Sequence, residues 1–206
     1  MKRIDLKKTL KPLYAASATK PLIVDVPAMN CLMVDGIGDP GGAAFQEAVG
    51  SLYSVAYTMK FSIKKEKSID YPVMALEGLW WADDMGDFLA QKRKNWKWTL
   101  FIVLPDIVTK KDAARAVEDV RKKGKLPRFP EVRFQKFKEG KSAQVLHVGP
   151  YSTERGTIER LHRFAEEQGY RLRGMHHEIH LGDPRRSAPE RLKTILRQPV
   201  QRAGRK

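Results

Sequence analysis

The chain has 206 residues, 42% of them hydrophobic, which is enough to bury a core as one large domain or as two small modules sharing an interface. Its 39 Lys and Arg against 24 Asp and Glu give a formal charge of +15, which raises nonspecific affinity for polyanions, yet no zinc-finger, RNP or helix-turn-helix signature accompanies it. No apolar run reaches the roughly 18 residues that a membrane-crossing helix needs, and the basic start MKRIDLKKTLKPLYAASATK lacks the continuous apolar stretch of a signal peptide.

Residues 1–20 read as a basic, weakly patterned segment that drapes over the fold or is partly mobile. The first strand is predicted over Met29–Gly36, ending in the turn GIGDPGG. A helix over Ala43–Lys60 follows, with Phe45, Val49, Leu52, Ala56 and Met59 on one face. Tyr71–Trp80 reads as a strand, Ala82–Asn95 as a hairpin connection or exposed excursion, and Trp96–Leu104 as a second strong strand. Thr109 caps a helix over Lys110–Lys123. Glu131–Phe137 and Ser142–Val148 read as a hairpin turned at KEGK, and Glu154–Gln168 as a third helix. Met175–Leu181 has strand character, and the tail carries a short helix around Glu190–Leu196.

The lone cysteine, Cys31, sits in the apolar strand MNCLMVDG; it can form no intrachain disulfide and is expected in the core of a cytoplasmic protein. The basic runs, such as Lys64–Lys67 and Lys92–Lys94, are spread along the chain and read as solvated surface, so nucleic-acid binding is not the favoured reading.

MVDGIGDPGGAAFQEAV in the first half and VLHVGPYSTERGTIERL in the second share an order: strand, glycine, proline-containing turn, amphipathic helix. Each helix leads to a strand bearing a glutamate, in ALEGLW and in HHEIHL. Two such units joined edge to edge would make a longer antiparallel sheet with a groove at the junction, a frequent kind of small-molecule site.

Glu178, in HHEIH, is the sharpest candidate for chemistry. Strand alternation puts it on one face with His176 and His180, and His177 and Ile179 on the other. In a partly apolar cleft its carboxyl would have a raised pKa and act as a base, or it would orient a cationic or hydroxylated ligand; as an exposed sheet residue it would only offset nearby arginines. His176, Glu178 and His180 have spacing compatible with a metal, but no second ligand cluster is visible and the helical H-E-x-x-H pattern is absent, so no metal is assigned. Glu77 is the partner of Glu178 under the repeat. Trp80, Trp81, Trp96 and Trp98 fall in one third of the chain, where they form either a ligand-gripping rim or an aromatic core; Tyr53, Tyr57 and Tyr151 are further wall candidates. GIGDPGG and GKS match neither a dinucleotide nor a P-loop fingerprint.

The C-terminal segment MHHEIHLGDPRRSAPERLKTILRQPV, with HVGPYSTE and GIGDPGGAAFQEAVGSLYSVAYTMKF, resembles the stand-alone GyrI-like small-molecule-binding proteins over roughly residues 20–200. The resemblance implies an α+β fold of two pseudo-symmetric SHS2-like modules (half-modules 21–129 and 130–200 of a domain over 21–206), forming a mostly antiparallel sheet with helices on one face and a central ligand cleft. It makes Glu178 the cleft carboxylate and places Trp80, Tyr57, Trp98 and Tyr151 among the wall residues. Some members hydrolyse cyclopropane-containing DNA-alkylating natural products, a glutamate helping to activate water, with no cofactor required. The expected partner is therefore a bulky aromatic or cationic small molecule. The leading 20 residues are too few for a winged-helix unit, which argues against a complete transcription regulator. The alternative is a noncatalytic ligand sensor or an interaction module such as a gyrase modulator.

Overall fold

The computed structural model describes residues 1–84, 92–124 and 129–204. The fold is α+β, built of antiparallel sheet flanked by helices. The chain forms two compact units: Met1–Thr9 with Met29–Phe137, and Leu10–Ala28 with Lys138–Lys206.

In the first unit, strand β1 (Lys2–Arg3) runs parallel to β3 (Ile69–Asp70), and Leu6 of the short helix α1 (Leu6–Thr9) is buried. The long strand β2 (Leu22–Ile37) begins in the second unit and contributes its end to the first. There it pairs antiparallel with β5 (Lys97–Leu104), which pairs in turn with β4 (Leu76–Trp81). Strand β5 is buried on both faces, as its unbroken apolar run requires. Helix α3 (Ala43–Lys67) presents Ala48, Leu52, Val55, Ala56, Met59 and Ile63 to the core. It runs a full 25 residues, past the predicted Lys60, because Ile63 extends the apolar stripe and Lys and Glu are good helix formers; Ser68, left-handed at φ 53°, ends it. Helix α4 (Lys110–Lys122) starts with a capping box: the Thr109 hydroxyl accepts from the Asp112 N–H while the Asp112 carboxylate accepts from the Thr109 N–H.

The second unit takes the short helix α2 (Lys11–Tyr14) from the N-terminal segment, with Leu13 buried. Strand β9 (Lys193–Arg202) is its central strand, pairing antiparallel with β6 (Arg133–Val148), β8 (His176–His180) and β7 (Tyr170–Leu172). Helix α5 (Glu154–Glu167) packs Leu161 and Ala165 on Ala143, Val145, Leu196 and Val200.

Three expectations are corrected. No reversal occurs at KEGK: β6 continues through it for 16 residues, with Gly140 taking the left-handed φ of 77° inside the strand. Glu139 is buried there, which an exposed turn would not allow. The predicted helix at Glu190–Leu196 is instead a 3-10 turn at Pro189–Arg191 followed by β9, because TILRQPV has partners on both edges and both its faces are buried. Tertiary pairing outweighs the helix propensity of ERLK. The strand expected from Tyr71 is regular only over Leu76–Trp81. Of the predicted excursion Ala82–Asn95, residues 85–91 lie outside the described residues; Arg93–Asn95 is a 3-10 turn.

Candidate functional site

The alternation of HHEIH sorts two different polar clusters onto the two faces of β8. On one face His177 Nδ1 lies 3.0 Å from Glu139 Oε1, and Arg197 Nη1 lies 3.4 Å from Glu139 Oε2. Arg197 also donates to the Gln144 side-chain oxygen at 2.9 Å and to the Leu13 carbonyl at 2.6 Å. Burial acts to raise the Glu139 carboxyl, but His177 and Arg197 outweigh it and hold the group below the usual carboxylate range. This cluster is internally satisfied, and it ties the N-terminal segment to the second unit.

The other face carries Glu178. Its Oε1 is 3.4 Å from His176 Nε2 and its Oε2 is 3.7 Å from His180 Nε2, with the carboxylate 14% exposed. Burial pushes the Glu178 carboxyl up, as expected from a partly apolar setting, but His176 first, then His180 and His177, bring it below its ordinary value, opposite to the expected rise. Glu154, the first residue of α5, is hydrogen-bonded to Glu178 and only 5% exposed. Burial first, and then the charge of Glu178, push the Glu154 carboxyl up to about 9, although the Thr194 hydroxyl beside it acts in the opposite sense. At neutral pH the pair is therefore one carboxylic acid and one carboxylate.

Tyr151 closes this cluster: its ring stands edge-on to His180 at 5.6 Å and is 40% exposed. Burial, and then the charges of Glu178, Glu154 and Asp183, raise its hydroxyl above the usual tyrosine value. On α5, burial and the charge of His176 hold His162 below the ordinary histidine range. Among the described residues, no group of three or more His, Cys, Asp or Glu is arranged to hold a metal ion.

The remaining candidates lie in the first unit. Trp80 and Trp98 are directly opposite in the β4–β5 ladder. Phe45 of α3 stacks on Trp80 at 5.8 Å and meets Trp98 edge-on at 5.2 Å, while Trp96 stands edge-on to Trp80 at 6.1 Å. Trp98 is a core side chain, seated over Gly36 with its indole N–H donating to the Gly38 carbonyl at 3.3 Å. Trp80 is 4% exposed, and its Nε1 is buried with no acceptor among the described residues. Tyr57 is stacked between Tyr53 and Phe61, 6.3 Å from each, and is 47% exposed. Glu77 on β4 is fully buried; burial and the Glu77 charge together raise the Cys31 thiol, which is inert packing. Two surface depressions of about 470 and 500 Å³ follow α4 between side chains such as Glu118 and Arg121, and neither touches a candidate residue.

Sequence reasoning gave no site role to Glu154, Glu139 or Arg197, and placed Phe45 only on the apolar face of its helix. Glu154 stands in the quoted HVGPYSTE, but a glutamate at a helix start ordinarily faces solvent, where it favours the helix dipole. Folding buries it instead, beside Thr194 of β9 and Glu178 of β8.

A conserved protein of uncharacterized role from Listeria innocua is 43% identical to this chain, covering 96% of it and 100% of its own length, with a TM-score of 0.88. A hydrolase from the same organism is 41% identical over 96% of this chain and 100% of its own, with a TM-score of 0.83. Residues 100–201 match the GyrI-like small molecule binding domain. The chain belongs to the family of these Listeria proteins. The C-terminal domain of EcmrR, 13% identical, covers 89% of this chain and 98% of its own at a TM-score of 0.59, which shows a shared fold. None of the curated proteins matches the chain. The HHEIH strand and Glu154 both fall inside the GyrI-like segment, whereas Trp80 and Tyr57 precede it.

Proposed function

We propose that this protein binds bulky aromatic or cationic small molecules and adds water to cyclopropanoid DNA-alkylating compounds, with Glu178 as the base that activates the water. The observation that carries the reading is the setting of Glu178: a mostly buried carboxyl with His176 Nε2 at 3.4 Å and His180 Nε2 at 3.7 Å. A carboxylate in that setting can accept a proton from water as the nucleophile attacks, or meet a ligand cation. A relative that is 41% identical is a hydrolase, which supports hydrolytic chemistry on this scaffold. Trp80, Tyr57, Trp98, Tyr151 and Glu77 are the candidate binding residues. Trp80 brings an indole N–H in need of an acceptor, and Tyr57 and Tyr151 bring accessible ring faces. The mechanism calls on no metal or organic cofactor, since strain drives ring opening once the nucleophile is placed.

Residues 21–206 are read as one GyrI-like domain with half-modules 21–129 and 130–200. The reading as SHS2-like modules rests on strand order: β2–β5–β4 in one unit and β6–β9–β8 in the other, the last strand central in each. Action in the cytoplasm fits the single unpaired cysteine, and no described helix is long and apolar enough to cross a membrane.

The test is mass spectrometry of a duocarmycin-type spirocyclopropane incubated with the wild type and with Glu178→Gln. Addition of one water by the wild type, lost in the variant, is the expected result. A folded wild type that binds the compound without turning it over replaces hydrolysis with ligand sensing.

A further inference from the structure

Glu178 does not work beside a passive wall. The carboxyl beside it belongs to Glu154, which is carried on a different element, is 5% exposed, and has its Oε1 buried without a hydrogen-bond partner among the described residues. Two carboxyls in direct contact, both shielded from water, cannot both ionise at neutral pH, so one retains a proton. The surroundings decide which. His176 and His180 lie against the Glu178 oxygens, whereas Glu154 is bordered by the Thr194 hydroxyl and by Glu178 itself. The other titratable groups in the cluster are Tyr151 from the turn before α5, His162 from α5, and Asp183 from the loop after β8. The two imidazoles at 3.4 and 3.7 Å favour the ionised form at Glu178, and the proton rests on Glu154.

We propose that Glu154 and Glu178 form a one-proton acid–base dyad in which Glu154 is the proton donor of the hydrolytic step. This deepens the reading of Glu178 as a base and rests on it. In the step, Glu178 removes a proton from water as the water oxygen bonds to the cyclopropane methylene. The ring carbon–carbon bond breaks, and its electron pair flows to the conjugated carbonyl oxygen. Glu154 delivers its proton to that oxygen, leaving a phenol and a primary alcohol. The proton gained by Glu178 then crosses the hydrogen bond to Glu154, and the resting pair is restored with one water consumed. The dyad takes substrates whose leaving electron pair ends on an oxygen, because only there does a donated proton assist.

Two readouts test this on the full chain. The first is carboxyl NMR on protein labelled with ¹³C at glutamate Cδ, titrated from about pH 5 to 10, with a window set by the ordinary glutamate value and its raised counterpart. One carboxyl should titrate far above the rest, vanish in Glu154→Gln, and fall in Glu178→Gln while staying above the ordinary range, because burial, the larger cause of the rise, remains. The second is hydrolysis in ¹⁸O-water with binding followed by tryptophan fluorescence. Glu154→Gln should bind within about threefold of wild type but lose about 100-fold or more in turnover at neutral pH, the loss shrinking as acid replaces the missing donor. Glu154→Asp, which keeps the acid, should retain part of the rate. The dyad is overturned if no carboxyl titrates high, if Glu178→Gln leaves that titration unchanged, or if Glu154→Gln keeps the wild-type rate and pH profile. Absence of wild-type turnover sinks the proton-donor role along with hydrolysis, and the NMR arm still shows separately whether the pair shares a proton.

Discussion

His177 and Glu139 meet at 3.0 Å with each side chain only 1% exposed, and Arg197 completes the contact from β9. Removing the negative member strands a buried guanidinium and leaves the imidazole without its carboxylate. Glu139→Gln is expected to cost about 3–5 kcal/mol, read as a lowered urea midpoint. The Lys141–Asp25 pair, 3.4 Å apart with Asp25 76% exposed, serves as the contrast: Asp25→Asn should change stability by less than about 1 kcal/mol. Because the folded Glu139 carboxyl titrates below its unfolded value, its contribution is present above the unfolded value and is lost as pH falls through the folded one.

Glu154 has the opposite sign. Its folded carboxyl titrates near 9, above its unfolded value, so the native state holds a proton that the unfolded chain has released. Stability from this group therefore declines as pH rises between the two values, on the order of 1 kcal/mol per pH unit. Glu154→Gln, neutral at every pH, should be at least as stable as wild type at neutral pH, with the difference in melting temperature growing toward pH 9. A difference that stays flat across that window would count against a protonated Glu154.

Gly36 lies opposite Trp98 in the β2–β5 ladder, and a Cβ added at Gly36 would clash with the six-membered ring of the indole. Gly36→Ala must displace a fully buried tryptophan, so a loss of about 1–3 kcal/mol is expected, with a change in near-ultraviolet circular dichroism as Trp98 moves.

Trp98 and Tyr57 were both candidates for a ligand wall, and their burial separates them. Trp98→Ala should cost about 3–5 kcal/mol whatever it does to binding, because it empties a core site. Tyr57, 47% exposed, should cost little in stability, within about 0.5 kcal/mol, when changed to Ala. Lower ligand affinity in Tyr57→Ala at unchanged stability would mark a binding contact; unchanged affinity would remove Tyr57 from the wall.

What the amino-acid sequence determined was local. Apolar periodicity defined α3, α4 and α5, the unbroken run WKWTLFIVL defined β5, and alternation in HHEIH put Glu178 with His176 and His180 and turned His177 away. Each rests on spacing along a single element, which the chain carries in itself. The tertiary structure decided the rest. TILRQPV became the central strand β9 because strands remote in sequence pair with both its edges, and KEGK stayed extended because Glu139 found His177 and Arg197. Glu154, an ordinary first residue of a helix by its sequence, became an acid because folding buried it against a second carboxylate. A carboxyl's pKa is set by burial and by charges brought from other elements, and those distances exist only once the chain has folded.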